Sequence, residues 1–374
     1  MKTKFKNFVS GKLAFLFLIS IISFSSCKKE SVSKQPDPVP VVTTTTDVYA
    51  GGYERSAAGF RIAKTWKNGV ATTLSSDGDD AWVESLVVSG ADVYAVGVLI
   101  QGGNNTGHEP KVAKLWKNSV DVPILASGDM VYGHAYSVFV SGSDLYIAGT
   151  LDSVNNTNPY AATLWKNGVP TTLSNSFGDA ISVFVSGTDV YVTGDEYNPA
   201  NLLWEPKYWK NGVAHLMPLT NTSGNDHVGQ IVVSGNDIYI AGTTESTNPY
   251  SFATLWKNDV ATNFTDGTGH AGTVGVAVSG SDVYVAGWDI TPGTNNAILK
   301  VWKNGVATDI NTGTNVTTCL GMSVSGEDVY VGGGEWQNNL FPNMQAVVWK
   351  NGTPTYLTDG TYQSTVYSVF ANTY

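Results

Sequence analysis

The tripeptide Trp-Lys-Asn occurs seven times in this chain, at Trp66, Trp116, Trp165, Trp209, Trp256, Trp302 and Trp349. Successive copies lie 44 to 50 residues apart. Five continue into glycine (Gly69, Gly168, Gly212, Gly305 and Gly352), and Ser119 and Asp259 hold that place in the other two. A second signature, Ser-Gly-x-Asp-aliphatic-Tyr, keeps step with the first through Asp92, Asp144, Asp189, Asp237, Asp282 and Asp328. A repeat of this length is one supersecondary unit that cannot bury its own hydrophobic face, so the copies must stack on one another.

The copy at 180–216 shows the parts of the unit. An apolar strand at 181–185 runs into the tight turn Ser186-Gly187-Thr188-Asp189, and a second strand comes next at 190–194. A third strand at 202–210 ends in Asn211-Gly212, and a fourth covers 213–216. Asn-Gly between two strand-like runs is a strong hairpin signal, because both residues tolerate the positive φ of a type I′ turn. Each unit therefore supplies four short antiparallel strands, a to d. Seven such sheets packed face to face around an axis bury both faces of each, which predicts an all-β, seven-bladed β-propeller. The chain enters the repeat at strand b, over 47–53. The missing a strand stands at the other end, where Val366-Tyr367-Ser368-Val369-Phe370 matches Ala135-Tyr136-Ser137-Val138-Phe139. The C-terminal strand is thus expected to pair with the N-terminal blade and close the ring.

The first 26 residues carry Lys2, Lys4, Lys6 and Lys12, then an apolar run over 13–22, then Ser-Phe-Ser-Ser before Cys27. This is the pattern of a secretory signal, with an apolar run too short for a comfortable membrane span. Residues 27–46 hold Pro36, Pro38, Pro40 and four threonines, a composition that cannot build a core and suits an extended tether. The propeller is assigned to 47–374. Without the leader the chain has 17 basic and 31 acidic residues, from 21 basic less the 4 leader lysines. An acidic surface argues against nucleic acid, whose phosphates need Lys and Arg. Cys319 has no folded partner and reads as a small buried side chain.

Two resemblances attach to these residues. The a-to-d order, with a Tyr-containing b strand ending in Gly, resembles kelch-type propellers over about 47–374. The double glycine of that motif is present at Gly51-Gly52 and Gly332-Gly333. Other copies read Ala148-Gly149 or Thr193-Gly194, and the Trp sits in strand c, so the resemblance implies architecture alone. Cysteine after small residues, with Lys28-Lys29-Glu30 behind it, resembles a bacterial lipoprotein signal, with Phe24 where Leu is usual. The Trp-Lys-Asn-Gly repeat looks like that of uncharacterised Bacteroidota surface lipoproteins. These resemblances imply a lipid on Cys27 and attachment to the bacterial outer membrane on its periplasmic or outer side; a monomer is expected.

The blade order puts the a–b and c–d turns on one uniform face. There the repeated Asp is expected to bond turn amides and the repeated Lys to sit solvated, while the repeated Trp packs between blades. The b–c and d–a connections fall on the other face and vary: 98–110, 151–159, 195–206, 243–249, 288–296 and 334–343. A rigid scaffold with variable loops on one face suits binding. That face is expected to expose Tyr53, Tyr197, Trp204, Trp288, Trp336 and Phe341, beside the acids Asp77, Asp79, Asp80, Asp152, Asp195, Glu196, Glu245, Asp289 and Glu335. Seven residues before the Ser of each Ser-Gly, successive blades carry Trp82, His134, Asp179, His227, Gly272 and Thr318, and the closing strand Thr365. His134, Asp179 and His227 thus fall on neighbouring blades at the channel mouth. Polar residues lining a wet opening is the simple reading; imidazoles with a carboxylate could also bind a metal or act as acid and base.

No nucleophile elbow, zinc-protease helix or phosphate loop is present, so no catalytic residue, metal or cofactor is assigned. The leading expectation is a lipid-anchored extracytoplasmic propeller that binds a glycan or protein on its variable face. Its site would draw on Trp82, His134, Asp179, His227, Tyr197, Trp204, Trp288 and Trp336. The alternatives are a glycan hydrolase or lyase at the channel mouth and a structural surface protein.

Overall fold

The computed structural model describes residues 45–102, 110–125, 127–128, 130–152, 160–218, 226–245, 250–290, 293, 297–311, 315–336 and 344–374. The leader, Cys27, almost all of the tether and Phe341 lie outside these residues, as do parts of five of the six variable connections.

The described residues form 28 strands in seven four-stranded antiparallel sheets, with no helix among them. The first blade holds β1 (Thr46–Arg55), β2 (Arg61–Lys67) and β3 (Val70–Thr73). The second is β4 (Asp80–Ser89), β5 (Asp92–Ile100), β6 (Lys111–Lys117) and β7 (Val120–Val122). The third is β8 (Gly133–Ser141), β9 (Asp144–Asp152), β10 (Tyr160–Lys166) and β11 (Val169–Thr172). The fourth is β12 (Gly178–Ser186), β13 (Asp189–Asn198), β14 (Leu203–Lys210) and β15 (Val213–Leu216). The fifth is β16 (His227–Ser234), β17 (Asp237–Glu245), β18 (Ser251–Lys257) and β19 (Val260–Asn263). The sixth is β20 (Ala271–Ser279), β21 (Asp282–Ile290), β22 (Ala297–Lys303) and β23 (Val306–Asp309). The seventh is β24 (Val316–Ser325), β25 (Asp328–Trp336), β26 (Met344–Lys350) and β27 (Thr353–Tyr356). The last strand, β28 (Ser364–Thr373), completes the first sheet in the order β28-β1-β2-β3. The inner strands touch in the sequence β28, β4, β8, β12, β16, β20, β24 and back to β28, so the ring is closed.

Tryptophan builds the joints between blades. All seven repeated Trp residues are at most 2% exposed. Trp165 packs on Val96 and Leu115 of the second blade, Trp209 on Tyr146 and Ala162 of the third, and Trp66 on Tyr330 and Ala346 of the seventh. The indole Nε1 atoms of Trp66, Trp165, Trp209 and Trp256 find no partner among the described residues. An orphaned donor costs about 1–3 kcal/mol. Burying a ring of roughly 150–250 Å² returns about 4–6 kcal/mol, so packing wins.

The turns are more tightly tied than the motif suggests. In every blade the Asn of Trp-Lys-Asn lies at φ 49–51°, the left-handed conformation of a type I′ turn. Its Nδ2 donates to the Asp that opens strand b at 2.7–2.9 Å. Its Oδ1 accepts the next backbone amide at 2.8–2.9 Å. The Lys, expected to be free in solvent, instead reaches the other oxygen of that Asp at 2.7–2.9 Å. It lies 5.1–5.6 Å from the centre of the strand-b Tyr ring. The repeated Asp therefore bonds two side chains of the neighbouring turn, which corrects the expectation of turn amides. The latch includes Asp47 of the closing blade, a seventh copy without a Ser-Gly turn before it.

Candidate functional site

Each inner strand carries a β-bulge, and the bulges build the channel. Register slips between Gly51 and Gly52 against β28, and between Val83/Ser85, Ala135/Ser137, Ala180/Ser182, Val228/Ile231, Thr273/Gly275 and Cys319/Gly321 in the other blades. A bulge turns one extra residue out of the ladder. Those residues are Glu84, Tyr136, Ile181, Gly229, Val274, Leu320 and Tyr367, and all line one central cavity of about 740 Å³. The residue two before each bulged one holds its carbonyl against the glycine of strand b. A Cβ on Gly97, Gly149 or Gly194 would sit 1.8–2.0 Å from the oxygens of Trp82, His134 and Asp179. That close approach explains why strand b carries Gly at this position in every blade.

The bulge also frees an amide, and the preceding blade accepts it. Ser85 accepts the Val138 amide at 3.3 Å, Ser137 that of Val183 at 3.2 Å, and Ser182 that of Ile231 at 3.3 Å. Ser368 accepts Leu86 at 3.1 Å, and Gln230 accepts Val276 at 3.0 Å. The sixth and seventh blades have Gly275 and Gly321 at this position. A Cβ on Gly275 would lie 2.7 Å from Met322 and one on Gly321 would lie 2.5 Å from the Tyr367 oxygen, so closer packing replaces the hydroxyl.

The mouth is chemically lopsided. On the second and third blades, Glu84 Oε1 accepts from Trp82 Nε1 at 2.5 Å and pairs with His134 Nε2 at 2.9 Å. His134 stacks on Tyr136 with centroids 4.2 Å apart and meets Trp82 edge-on at 5.8 Å. Arg61 lies 4.2 Å above the Trp82 ring and pairs with buried Asp80 at 3.0 Å. Burial, then the charges of Asp179 and Glu84, hold the Tyr136 phenol well above its usual range. Across the mouth the ring residues Ile181, Val274 and Leu320 are apolar.

The structure separates the predicted arc into two pairs. His134 is 7% exposed and belongs to Glu84. The His227 side chain is 61% exposed, and its Nδ1 lies 3.3 Å from Asp195 Oδ2. Asp179 faces Asp195 across the β12–β13 ladder. Burial, then the neighbouring Asp195 charge, raises the Asp179 carboxyl. Burial likewise raises Asp195, whose Oδ1 is buried without a partner among the described residues. The bond to Asp195 raises His227. Among the described residues no three His, Cys, Asp or Glu side chains come together to hold a metal ion.

The other predicted residues scatter by role. Tyr53, expected to be exposed, is 5% exposed because it packs toward Tyr367 at 6.2 Å, and Trp82, expected at the mouth, is 9% exposed beneath Arg61. Trp288 is half-buried across Gly272, filling the space a side chain takes in the other blades. Trp336, half-buried at the end of β25, sits on the seventh blade and apart from the histidines. Several predicted acids are loop staples: Asp80 holds Arg61, Glu196 accepts the amides of Asn175 and Ser176 at 2.7 and 3.2 Å, and Asn315 binds Glu335 at 3.0 Å.

Tyr197 and Trp204 come together with two residues the sequence did not single out. The connection expected at 195–206 is a hairpin extension, in which β13 and β14 run on until Tyr197 opposes Trp204. Tyr160 and Phe177 stand 5.4 Å apart, Phe177 and Tyr197 6.2 Å, and Tyr197 and Trp204 5.8 Å. All four are half-buried and form a ledge from the third blade to the fourth. The ledge adjoins the mouth: burial, then the Asp179 and Asp152 charges, raises the Tyr160 phenol.

No protein-family model matches the chain, and no curated protein matches it. Solved propellers do resemble it. The β-propeller domain of the Trilobed protease from Pyrococcus furiosus is 14% identical with a TM-score of 0.40, over 75% of this chain and 96% of that one. The phage phi92 endosialidase is 12% identical with a TM-score of 0.45, over 84% and 66%. Pyrococcus horikoshii acylaminoacyl peptidase is 11% identical with a TM-score of 0.41, over 75% of this chain and 52% of that one. The chain therefore spans about half the length of that peptidase. At these scores the likenesses say nothing about activity.

The signal that would have found Glu84, Tyr136 and Tyr367 is positional. They stand five residues before the Ser of Ser-Gly, or before Asn372 in the closing strand, where the other blades carry Ile181, Gly229, Val274 and Leu320.

Proposed function

We propose that this protein is a lipid-anchored extracytoplasmic binding propeller that engages a carbohydrate on its variable face, at the ledge formed by Tyr160, Phe177, Tyr197 and Trp204. The carrying observation is that ledge: four half-buried aromatic rings in a row, Tyr197 and Trp204 on a hairpin extension, Tyr160 at the start of β10 and Phe177 just before β12, beside the carboxyl of Asp179. Sugar rings offer apolar C–H faces to aromatic planes and hydroxyls to carboxylates, and rigid aromatics lose little entropy on binding. The anchor part of the proposal rests on the sequence around Cys27 and on the Pro- and Thr-rich segment after it, and labelling with a palmitate analogue in cells tests it. A Cys27→Ala variant should lose both label and membrane association.

Glycan-array screening and then calorimetry test the ligand. Trp204→Ala and Tyr197→Ala should each weaken the best glycan by about 1–2 kcal/mol, roughly 5- to 30-fold. No glycan hit, together with capture of a defined protein partner, would replace carbohydrate by protein.

A second reading has its own support. Glu84 is hydrogen-bonded to His134, and the raised Tyr136 phenol and Asp179 carboxyl stand at the same mouth, a grouping of titratable side chains that acid–base chemistry uses. If the bound glycan is cleaved, new reducing or unsaturated ends appear, and Glu84→Gln stops cleavage while leaving binding at the ledge intact.

A further inference from the structure

The central cavity has a chemistry of its own, distinct from the ledge. Its wall mixes apolar side chains with the belt residues Ser85, Ser137, Ser182, Gln230 and Ser368. Below the bulge ring a second ring carries Val87, Phe139, Phe184, Val232, Ala277 and Phe370, with Ser323 completing it. Phe139 and Phe184 touch, with centroids 5.0 Å apart. Three residues of strand separate the two rings, about 10 Å along the channel. Among the described residues that line the cavity, Glu84 is the one charged side chain. It is flanked by the phenols of Tyr136 and Tyr367 from the neighbouring blades. Its pairing partner His134 is buried behind it and is not part of the wall. A carboxylate among aromatic rings, above a ring that is apolar at six of its seven positions, is complementary to a cation on an apolar body. Aromatic faces attract cations, and the attraction grows when water is excluded.

We propose that the channel is a binding site for an organic ammonium ion carrying an alkyl or aryl body, the charge held by Glu84, Tyr136 and Tyr367 and the body lying along the ring of Phe139 and Phe184. The net negative charge of the chain, −10, draws such a cation in and repels an anion of the same shape.

Three amphiphiles with the same ten-carbon chain test this on the purified protein by calorimetry, each below its micelle concentration: decyltrimethylammonium, decyl sulfate and decyl maltoside. The cation should bind at least about tenfold more tightly than either of the others. Glu84→Gln should remove that preference, and Val87→Trp should fill the well and abolish binding of the cation with the melting temperature maintained. Equal affinity for the three head groups, or a cation preference that survives Glu84→Gln in a folded variant, overturns the proposal. The head-group comparison needs no variant, so a misfolded mutant does not protect the idea. Glycan binding at the ledge should survive both substitutions, and Trp204→Ala should leave the cation untouched.

Discussion

At the scale of single residues, the repeated tryptophans and glycines are two halves of one joint. Gly194 shows why: a Cβ there would meet the Asp179 oxygen at 1.8 Å and Trp209 Cζ3 at 3.0 Å. Gly194→Ala should therefore cost about 1–3 kcal/mol or more, read as a lowered midpoint in urea unfolding. An unchanged midpoint would show that the bulge can relax. The tryptophans were legible because a residue kept at one strand position in all seven copies can only serve what all copies share. Glu84 was not. A bulge inserts one residue and reverses the in–out parity of every later position in the strand, so its face cannot be counted from either end. The contacts of the Lys of Trp-Lys-Asn are hidden in the sequence for a different reason. Its partner Asp stands on the neighbouring strand, and proximity across a sheet depends on register. Buried Cys319 behaves as its sequence suggested. Its thiol lies 3.3 Å from the Gly287 carbonyl, and burial pushes it up to about 12, so alkylating reagents should leave it unmodified in the native protein.

At the scale of elements, the ring is held by packing and by the serine belt around the channel. Ser137→Ala leaves the Val183 amide without its acceptor and should destabilise the protein by about 1–3 kcal/mol. Ser176 has its hydroxyl in the loop between β11 and β12, so Ser176→Ala should leave that belt intact and serves as a comparison. If the two variants unfold at the same denaturant concentration, the belt carries no special weight. The order of strands was legible, and so was the closing strand, because Tyr367-Ser368-Val369-Phe370 repeats an internal a strand. The ledge was legible only by half. Tyr197 and Trp204 stood in a visibly long connection, but Phe177 and Tyr160 belong to different connections, and only the geometry between neighbouring blades brings them beside that hairpin.

At the scale of the whole molecule, two sets of carboxyls pull stability in opposite directions with pH. The turn aspartates are held below their usual range by Lys and Asn, Asp47 at about 2 against 3.8. Their contribution is complete above 3.8 and is lost as pH falls toward the lowered values. Asp152, Asp179 and Asp195 at the mouth are raised, chiefly by burial. Ionised, they oppose folding, so protonating them as pH falls through their raised values toward 3.8 adds stability. His227 is raised too, so its contribution is present below 6.5 and fades as pH rises past its folded value. Melting temperature should therefore rise from neutral to mildly acidic pH, peak at about 4–6, then drop. Asp179→Asn should flatten the rise without moving the acid limb. A curve that falls steadily from pH 8 downward contradicts this assignment. The pairing of β28 with β1 has a consequence in time. Thr46 and Thr373 bond across 327 residues of sequence. At roughly 5–20 residues per second, the ribosome delivers the partner of the first strand roughly 15–65 s after the strand itself. Throughout that wait the newborn chain shows an unpaired edge to every other chain nearby, so its hazard during synthesis is set by translation speed.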